Sequence, residues 1–275
     1  MSRIDPVAVL APEVSRRIAA GEVIERPASV ARELIDNSID AEAQTIDIRW
    51  ESGGIELLRV HDDGYGLTRE DLDLCWKPHA TSKIRTLEDL DHATSLGFRG
   101  EALSSIAAVS ALTIATTRRG TEEGYRLAVD RATFTGIEPA PPGDGTTVEV
   151  RRLFANLPAR RRFLSRPHAE TQAIQNVVRD KAVPFPEVRF TFGATTSNAT
   201  IFPQTDLVTR VADAYGSVAP VHVLQRIEGS GDRFRIEVVA ANPEIVRRDR
   251  RYIRVFVNKR RVWEYRLIQA VEYAY

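Results

Sequence analysis

Apolar and polar positions along the chain change period repeatedly, and each change marks an element. Residues 15–27 mix the two kinds at helical spacing until "AAGEV" and Pro27 interrupt them. Pro27 suits the first turn of the next helix, which runs from Ser29 to about Ala41. "TIDIRW" (45–50) and "IELLRVHD" (55–62) alternate with the period of two of half-buried strands, and Gly53-Gly54 between them reads as a hairpin turn. Thr68, with Glu70 and Asp71 behind it, has the chemistry of a helix N-cap. A polar, glycine-containing connection over 77–103 then leads into the helix "EALSSIAAVS"; loops of this length are usually lids or disordered. Four strand-like pieces follow: "ALTIATTRR", "GYRLAVD", "ATFTGIEPA" and, after the turn-forming "PPGDG", "TTVEVRRLF". A helix over about 168–182 precedes the strand in "PEVRFTFGA".

The polar "TTSNAT" (195–200) ahead of "FPQTDL" is the best linker candidate, so two units are expected, over 1–200 and 201–275. The second holds the helix-like "DLVTRVADAYG", the strand-like "RFRIEVVAA" and "YIRVFVNKRRV", and the helix-like "YRLIQAVEYAY". That last pattern meets the chain end without a cap, as expected of a segment of a longer protein. Strands and helices in this order predict an α+β fold.

Composition narrows the class. A chain of 275 residues, 43% hydrophobic and 28% charged, is ordinary for a globular protein with a sizeable core. The run "SIAAVSALTIA" is too short to cross a bilayer, and the N-terminus lacks a signal peptide's basic start and long apolar centre, so a cytosolic protein without a membrane partner is expected. A single cysteine, Cys75, allows no disulfide framework and no cysteine-based metal site. The net charge of zero hides an asymmetry. Residues 1–150 carry 16 basic against 26 acidic residues, whereas 151–275 carry 22 against 12. A basic half is the expected footprint of a polyanion-binding surface.

The stretch "ELIDNSIDA" (33–41) raises the chemical question. At 100° per residue Glu33, Asp36, Asn37 and Asp40 fall on one arc, with Leu34, Ile35 and Ile39 opposite. Glu33 has no lysine four residues on, and Asp36 has Asp40 there, a like-charge spacing that costs a few tenths of a kcal/mol. Downstream, "HDDGYGL" ends a strand with Asp62. A carboxylate only accepts hydrogen bonds, so Asp62 can take the exocyclic amino proton of adenine and would repel the carbonyl oxygen of guanine. Gly64 and Gly66 supply positive φ or let a flat ring approach the backbone. In "GFRGEAL" (97–103), glycines before a helix N-terminus leave N–H groups that favour a di- or triphosphate, and Arg99 either reaches a phosphate or is solvated. No Walker A pattern occurs. In "GDGTTVEV", Thr146 or Thr147 enters a strand where a hydroxyl can hold Asp62, directly or through water.

As an ordered set, acidic-amide helix, strand ending D-x-G-x-G, glycine loop with helix, then G-T on a strand, these segments resemble the GHKL ATPases. Within that family "IAAGEVIERPASVARELIDNSIDA" (18–41), "HATSKI" (79–84), "GFRGEALSSIA" (97–107) and "LPARRRFL" (157–164) are most similar to MutL mismatch-repair proteins. The resemblance implies a GHKL (Bergerat-type) α/β sandwich with a mixed sheet, followed by a truncated second α/β domain of the MutL type. It implies ATP and Mg²⁺ as ligands, with Asn37 binding the metal through its amide oxygen and Glu33 acting as general base on the attacking water. Asp62, Gly64 and Gly66 would meet the adenine side. Thr81, Ser82 and Lys83, with Gly97, Phe98, Arg99, Gly100, Glu101, Ala102 and Leu103, would meet the phosphates. Residues 76–100 would form a lid that orders over nucleotide, and an N-terminal arm would support a nucleotide-dependent homodimer.

"RRLFANLPARRRFLSR" (151–166) holds six arginines and no acid, and "RRDRRYIRVFVNKRR" adds a second cluster. The resemblance makes these a sequence-independent DNA-binding surface, with Arg160, Arg161, Arg162, Arg260 and Arg261 as candidates, while a MutS-like partner senses the mismatch. It also implies a cytoplasmic, nucleoid-associated protein. The chain ends before the "VHPxKxEVRF" segment whose lysine contacts the terminal phosphate in MutL proteins, so slow hydrolysis is expected. A topoisomerase-type GHKL fragment and a non-enzymatic DNA-binding module are the alternatives; the latter leaves the acidic helix without a purpose.

Overall fold

A computed structural model describes residues 24–83, 96, 100–245 and 250–274. The helical pattern expected over 15–23 lies outside these residues. The organising element is an eight-stranded mixed sheet of order β5-β4-β3-β6-β2-β1-β7-β8. Its strands are β1 (Thr45–Glu51), β2 (Leu57–Asp62), β3 (Ala111–Thr117), β4 (Gly124–Asp130), β5 (Thr133–Ala140), β6 (Thr146–Arg151), β7 (Arg189–Ala194) and β8 (Thr200–Phe202). Every pairing is antiparallel except that of β1 with β7. Alternation in the sequence sets the faces. Ile46, Ile48 and Trp50 of β1 oppose Asp62, Val60 and Leu58 of β2 on the buried side. Asp47 and Arg49 share the other, half-open side with His61 and Arg59.

The buried side is covered by α1 (Pro27–Asp40), α3 (Ala102–Val109) and α5 (Pro167–Ala182), and α1 packs along α5. Leu34, Ile35, Ile106, Ile174 and Val178 join Phe190 and Phe192 in one core. Thr68 caps the short α2 (Arg69–Leu74), accepting from the Asp71 N–H at 3.1 Å. Cys75 packs against the core, where burial pushes its thiol up to about 12, so it is an inert thiol. The eight-stranded mixed sheet with helices packed on its buried side is the α+β arrangement expected from the sequence.

The stretch read as a linker is a turn. β8 begins at its last residue, Thr200, and pairs with β7, Phe190 opposite Phe202, so the main sheet continues past residue 200. Next comes α6 (Leu207–Tyr215), capped by Asp206, which accepts from the Val208 and Thr209 N–H groups. Its fully buried Arg210 donates to the carbonyls of Ala182, Phe185, Pro186, Val188 and Pro203, tying α6 to the end of α5 and to β7. Two hairpins follow, β9 (Leu224–Gly231) with β10 (Phe234–Ala241) and β11 (Val255–Val257) with β12 (Arg260–Val262), then α7 (Tyr265–Ala274). Asn258 and Lys259 both take positive φ in the tight turn between β11 and β12. No described helix is long and apolar enough to cross a membrane.

Candidate active site

The site is built on α1. Pro27 stands at its first turn, and the neighbouring Arg26 guanidinium forms a two-bond pair, each 3.1 Å, with Glu170, a buried carboxylate at the start of α5. Val30, Ala31, Leu34 and Ile35 fix the helix on the sheet. Glu33, Asn37 and Asp40 are then half-buried on the flank.

The acidic arc expected from the helical wheel divides in two. Asp36 is buried against α5 and forms an ion pair with Lys181. Asp40 pairs with Lys83 at 2.5 Å and accepts the Leu96 N–H at 2.8 Å. Only Glu33 keeps a carboxylate with no hydrogen bond or ion pair among the described residues. Burial raises the Glu33 carboxyl above its ordinary value, the Asp36 charge raises it further, and Lys181, Arg32 and Lys83 oppose the rise. A carboxylate held in this way is a better proton acceptor than a solvated one.

Asp62 ends β2, 5% exposed. Ser38, one residue past Asn37, donates to it at 2.7 Å, and the Gly64 N–H donates at 3.0 Å. Burial raises the Asp62 carboxyl, and these two bonds act against the rise. Asp63 does a different job, accepting from the Gln44 and Thr45 N–H groups at 2.7 and 2.8 Å to hold the start of β1. The glycines are set by backbone contact. A Cβ on Gly66, at φ +66°, would lie 2.0 Å from the Thr117 carbonyl oxygen, and one on Gly145 would lie 2.1 Å from that of Asp62. Gly64 has no positive φ but leaves no room beside Ala41.

Thr146 and Thr147 separate by face. Thr146 lies opposite Asp62 on the buried side and shares a 3.0 Å hydroxyl contact with Thr116, whereas Thr147 meets His61 Nδ1 at 3.0 Å on the other side. The hydroxyl that holds Asp62 belongs to Ser38.

On the lid side, Lys83 Nζ donates to Asn37 Oδ1 at 3.0 Å, and Thr81 Oγ1 accepts the Lys83 N–H at 3.1 Å. Ser82 is exposed. Gly100 takes φ +62° beside the Ala80 backbone. Glu101 occupies the N-cap position of α3 and lies 3.7 Å from His79, and the half-buried Ala102 and Leu103 open the helix. Gly97, Phe98, Arg99 and residues 84–95 of the expected lid lie outside the described residues. Lys83 thus meets Asn37 on the flank of α1, and Asp62, opposite Thr146 in the sheet, is tied to the same helix through Ser38.

The described residues contain no group of three His, Cys, Asp or Glu side chains that could hold a metal. A hard cation here would depend on Asn37 together with phosphate and water oxygens, as Mg²⁺ commonly does. The Lys83 ammonium on Asn37 Oδ1 shows that this oxygen faces a place suited to positive charge.

The arginine clusters are partly neutralised. Arg161, on α4 (Pro158–Phe163), pairs with Glu56, and Arg261 pairs with Asp180, which also holds Arg254. Arg160 lies 5.7 Å from the Phe154 ring, Arg162 is exposed, and Arg260 sits half-buried on β12.

Sequence reasoning missed Ser38 and Thr116, and it marked Lys181 as one of only four lysines without giving it the partner it has in Asp36. Ser38 alone left a local signal, since serine inside a helix favours a partner other than its own ladder.

The sequence family described as histidine kinase-, DNA gyrase B-, and HSP90-like ATPase matches residues 25–142. The DNA mismatch repair protein MutL of Treponema pallidum (strain Nichols) is 40% identical over 279 residues, covering 97% of this chain and 45% of that protein. That of Myxococcus xanthus (strain DK1622) is 40% identical over 278 residues, covering 100% of this chain and 44% of that protein. The chain therefore spans less than half the length of these relatives. Among solved structures, the Aquifex aeolicus MutL ATPase domain complexed with ADP has a TM-score of 0.70 at 27% identity, covering 92% of this chain and 89% of that one.

Proposed function

Because the chain belongs to the MutL family of DNA mismatch repair proteins and carries its GHKL ATPase fold, we propose that it binds ATP over the flank of α1 and hydrolyses it slowly as a repair switch. The observation that carries this reading is the Glu33 carboxylate, raised by burial and without a hydrogen bond or ion pair among the described residues, one helical turn from Asn37. Asp62, held by Ser38 and Gly64, accepts a hydrogen bond from the adenine amino group, and Thr146 stands on the same side of the sheet. Glu33 takes a proton from water as the water oxygen bonds to the terminal phosphorus, and the phosphorus–oxygen bond to ADP breaks with its electron pair leaving on the ADP oxygen. Mg²⁺, bound through Asn37, would offset the repulsion between phosphates and carboxylates.

This reading keeps two units, over about 1–200 and 201–275, with β8 of the first running to Phe202. It includes lid ordering over 76–100, phosphate contacts from Thr81, Ser82, Lys83 and residues 97–103, a nucleotide-dependent homodimer, a MutS-like partner and a cytoplasmic, nucleoid-associated location. Sequence-independent DNA binding is assigned to Arg160 and Arg162 first, since Arg161 and Arg261 are already paired with acids. Glu33→Ala with Asn37 intact tests the reading. ATP binding should persist while turnover is lost; a variant that hydrolyses ATP like the wild type would remove Glu33 from the mechanism.

A further inference from the structure

We propose that Thr116 is a positioning residue for the nucleotide base, giving its hydroxyl proton to Thr146 so that the Thr146 hydroxyl is free to donate to adenine beside Asp62. The inference rests on the reading that adenine meets Asp62. Asp62, Thr146 and Thr116 form one row across the adjacent strands β2, β6 and β3, since Thr146 is the register partner of both. All three lie on the buried side of the sheet, where side chains two residues apart share a face. Thr116 is 4% exposed and Thr146 is half-buried. Leu112 and Ile114 precede Thr116 on that face and are fully apolar core residues. A valine would continue their pattern, so the hydroxyl needs a reason of its own.

A count of protons gives the direction of the bond. A threonine hydroxyl has one proton to give and two lone pairs to receive. Thr116 Oγ1 has three polar neighbours: the Leu67 N–H at 2.9 Å, the Gly145 carbonyl at 3.2 Å and the Thr146 hydroxyl at 3.0 Å. Leu67 can only donate, so it takes one lone pair. The Gly145 carbonyl already accepts the Thr117 N–H at 3.0 Å and does not depend on the Thr116 proton. Thr146 is the nearer acceptor, and a proton directed there releases its own toward the space beside Asp62. The row then offers an acceptor next to a donor. Adenine presents the complement, an amino donor beside the ring acceptor N1, whereas guanine presents a carbonyl acceptor beside an N–H donor and is opposed at both places. Thr116 also fixes the backbone around this edge. Leu67 follows Gly66, which packs against the Thr117 carbonyl, and Gly145 packs against that of Asp62.

The test is titration of the protein with two nucleotides, a non-hydrolysable ATP analogue and the same analogue with ring nitrogen N1 replaced by C–H. The wild type should bind the second about tenfold more weakly, the size of one neutral hydrogen bond. Thr116→Val should weaken binding of the first about tenfold and of the second by less than about twofold, so that the discrimination closes. Thr116→Ser, which keeps the hydroxyl, should retain it. In a Thr146→Val background, Thr116→Val should change affinity by no more than about twofold. A threonine that only held the backbone would weaken both nucleotides alike, with or without Thr146. If Thr116→Val does not fold, Thr116→Cys, whose thiol is a weak donor, carries the same comparison. Equal wild-type affinity for the two nucleotides, an equal loss for both in Thr116→Val, or an additive loss in the double variant overturns the role of Thr116 and leaves the adenine reading standing. A wild type that binds neither nucleotide overturns that reading, and the role of Thr116 with it.

Discussion

Ser38→Ala isolates the bond on which the proposed adenine recognition depends. Ser38 is 2% and Asp62 5% exposed, and the 2.7 Å bond between them joins a neutral donor to a buried carboxylate. A hydrogen bond to a charged group contributes about 1.5–3 kcal/mol, against about 0.5–1.5 kcal/mol for a neutral one. Ser38→Ala should therefore cost about 1.5–3 kcal/mol of stability at pH 7.5. The pH dependence has a definite sign. Burial raises the Asp62 carboxyl above 3.8, so its contribution to stability is full below that value and is lost as pH rises through the raised one. Ser38 reduces this loss, and its removal raises the carboxyl further. The difference between variant and wild type should thus shrink as pH falls toward 3.8, approaching the neutral-bond range. Urea unfolding at pH 7.5 and 4.5 measures it, and ATP titration should show affinity weakened by about tenfold, the equivalent of roughly 1.4 kcal/mol. An equal ΔΔG at both pH values, or unaltered ATP affinity, would refute the role given to this bond.

Other consequences are as direct. Glu33→Gln imitates the protonated acid favoured by burial, so it should be more stable than the wild type at pH 7.5, and the gap should close below pH 4.5, as thermal melts would show. Arg210→Met leaves five carbonyls, three of them in buried bonds, without their donor and should cost at least about 3 kcal/mol in urea unfolding. Arg160→Ala and Arg162→Ala should weaken DNA binding uniformly across sequences and each reduce the salt slope by about one. Arg261→Ala, already paired with Asp180, should change that slope less.

What was legible in the sequence was local. The β1–β2 hairpin, the Thr68 cap and the opening of α1 at Pro27 each follow from residues within one or two turns of one another. The acidic face of α1 was legible as an anomaly but not in its division, because the partner that buries Asp36 lies on a helix 145 residues away. The charge asymmetry of the halves overstated the free basic surface, since Arg161, Arg254 and Arg261 meet acids that the chain supplies elsewhere. "TTSNAT" looked like a linker because β8 is three residues long, too short for its alternation to register. The threonine after Gly145 was ambiguous until strand register placed Thr146 with Asp62 and Thr147 with His61.

The central claim, that an adenine nucleotide lies between the flank of α1 and the end of β2, is tested most directly by amide NMR of the labelled protein titrated with a non-hydrolysable ATP analogue and, separately, its guanine counterpart, each with Mg²⁺. The adenine analogue should shift the side-chain amide of Asn37 and the backbone amides of Gly64, Gly66 and Gly100 together, and the guanine analogue should do so only at far higher concentration. Shifts confined to other surfaces, or equal responses to both nucleotides, would contradict it.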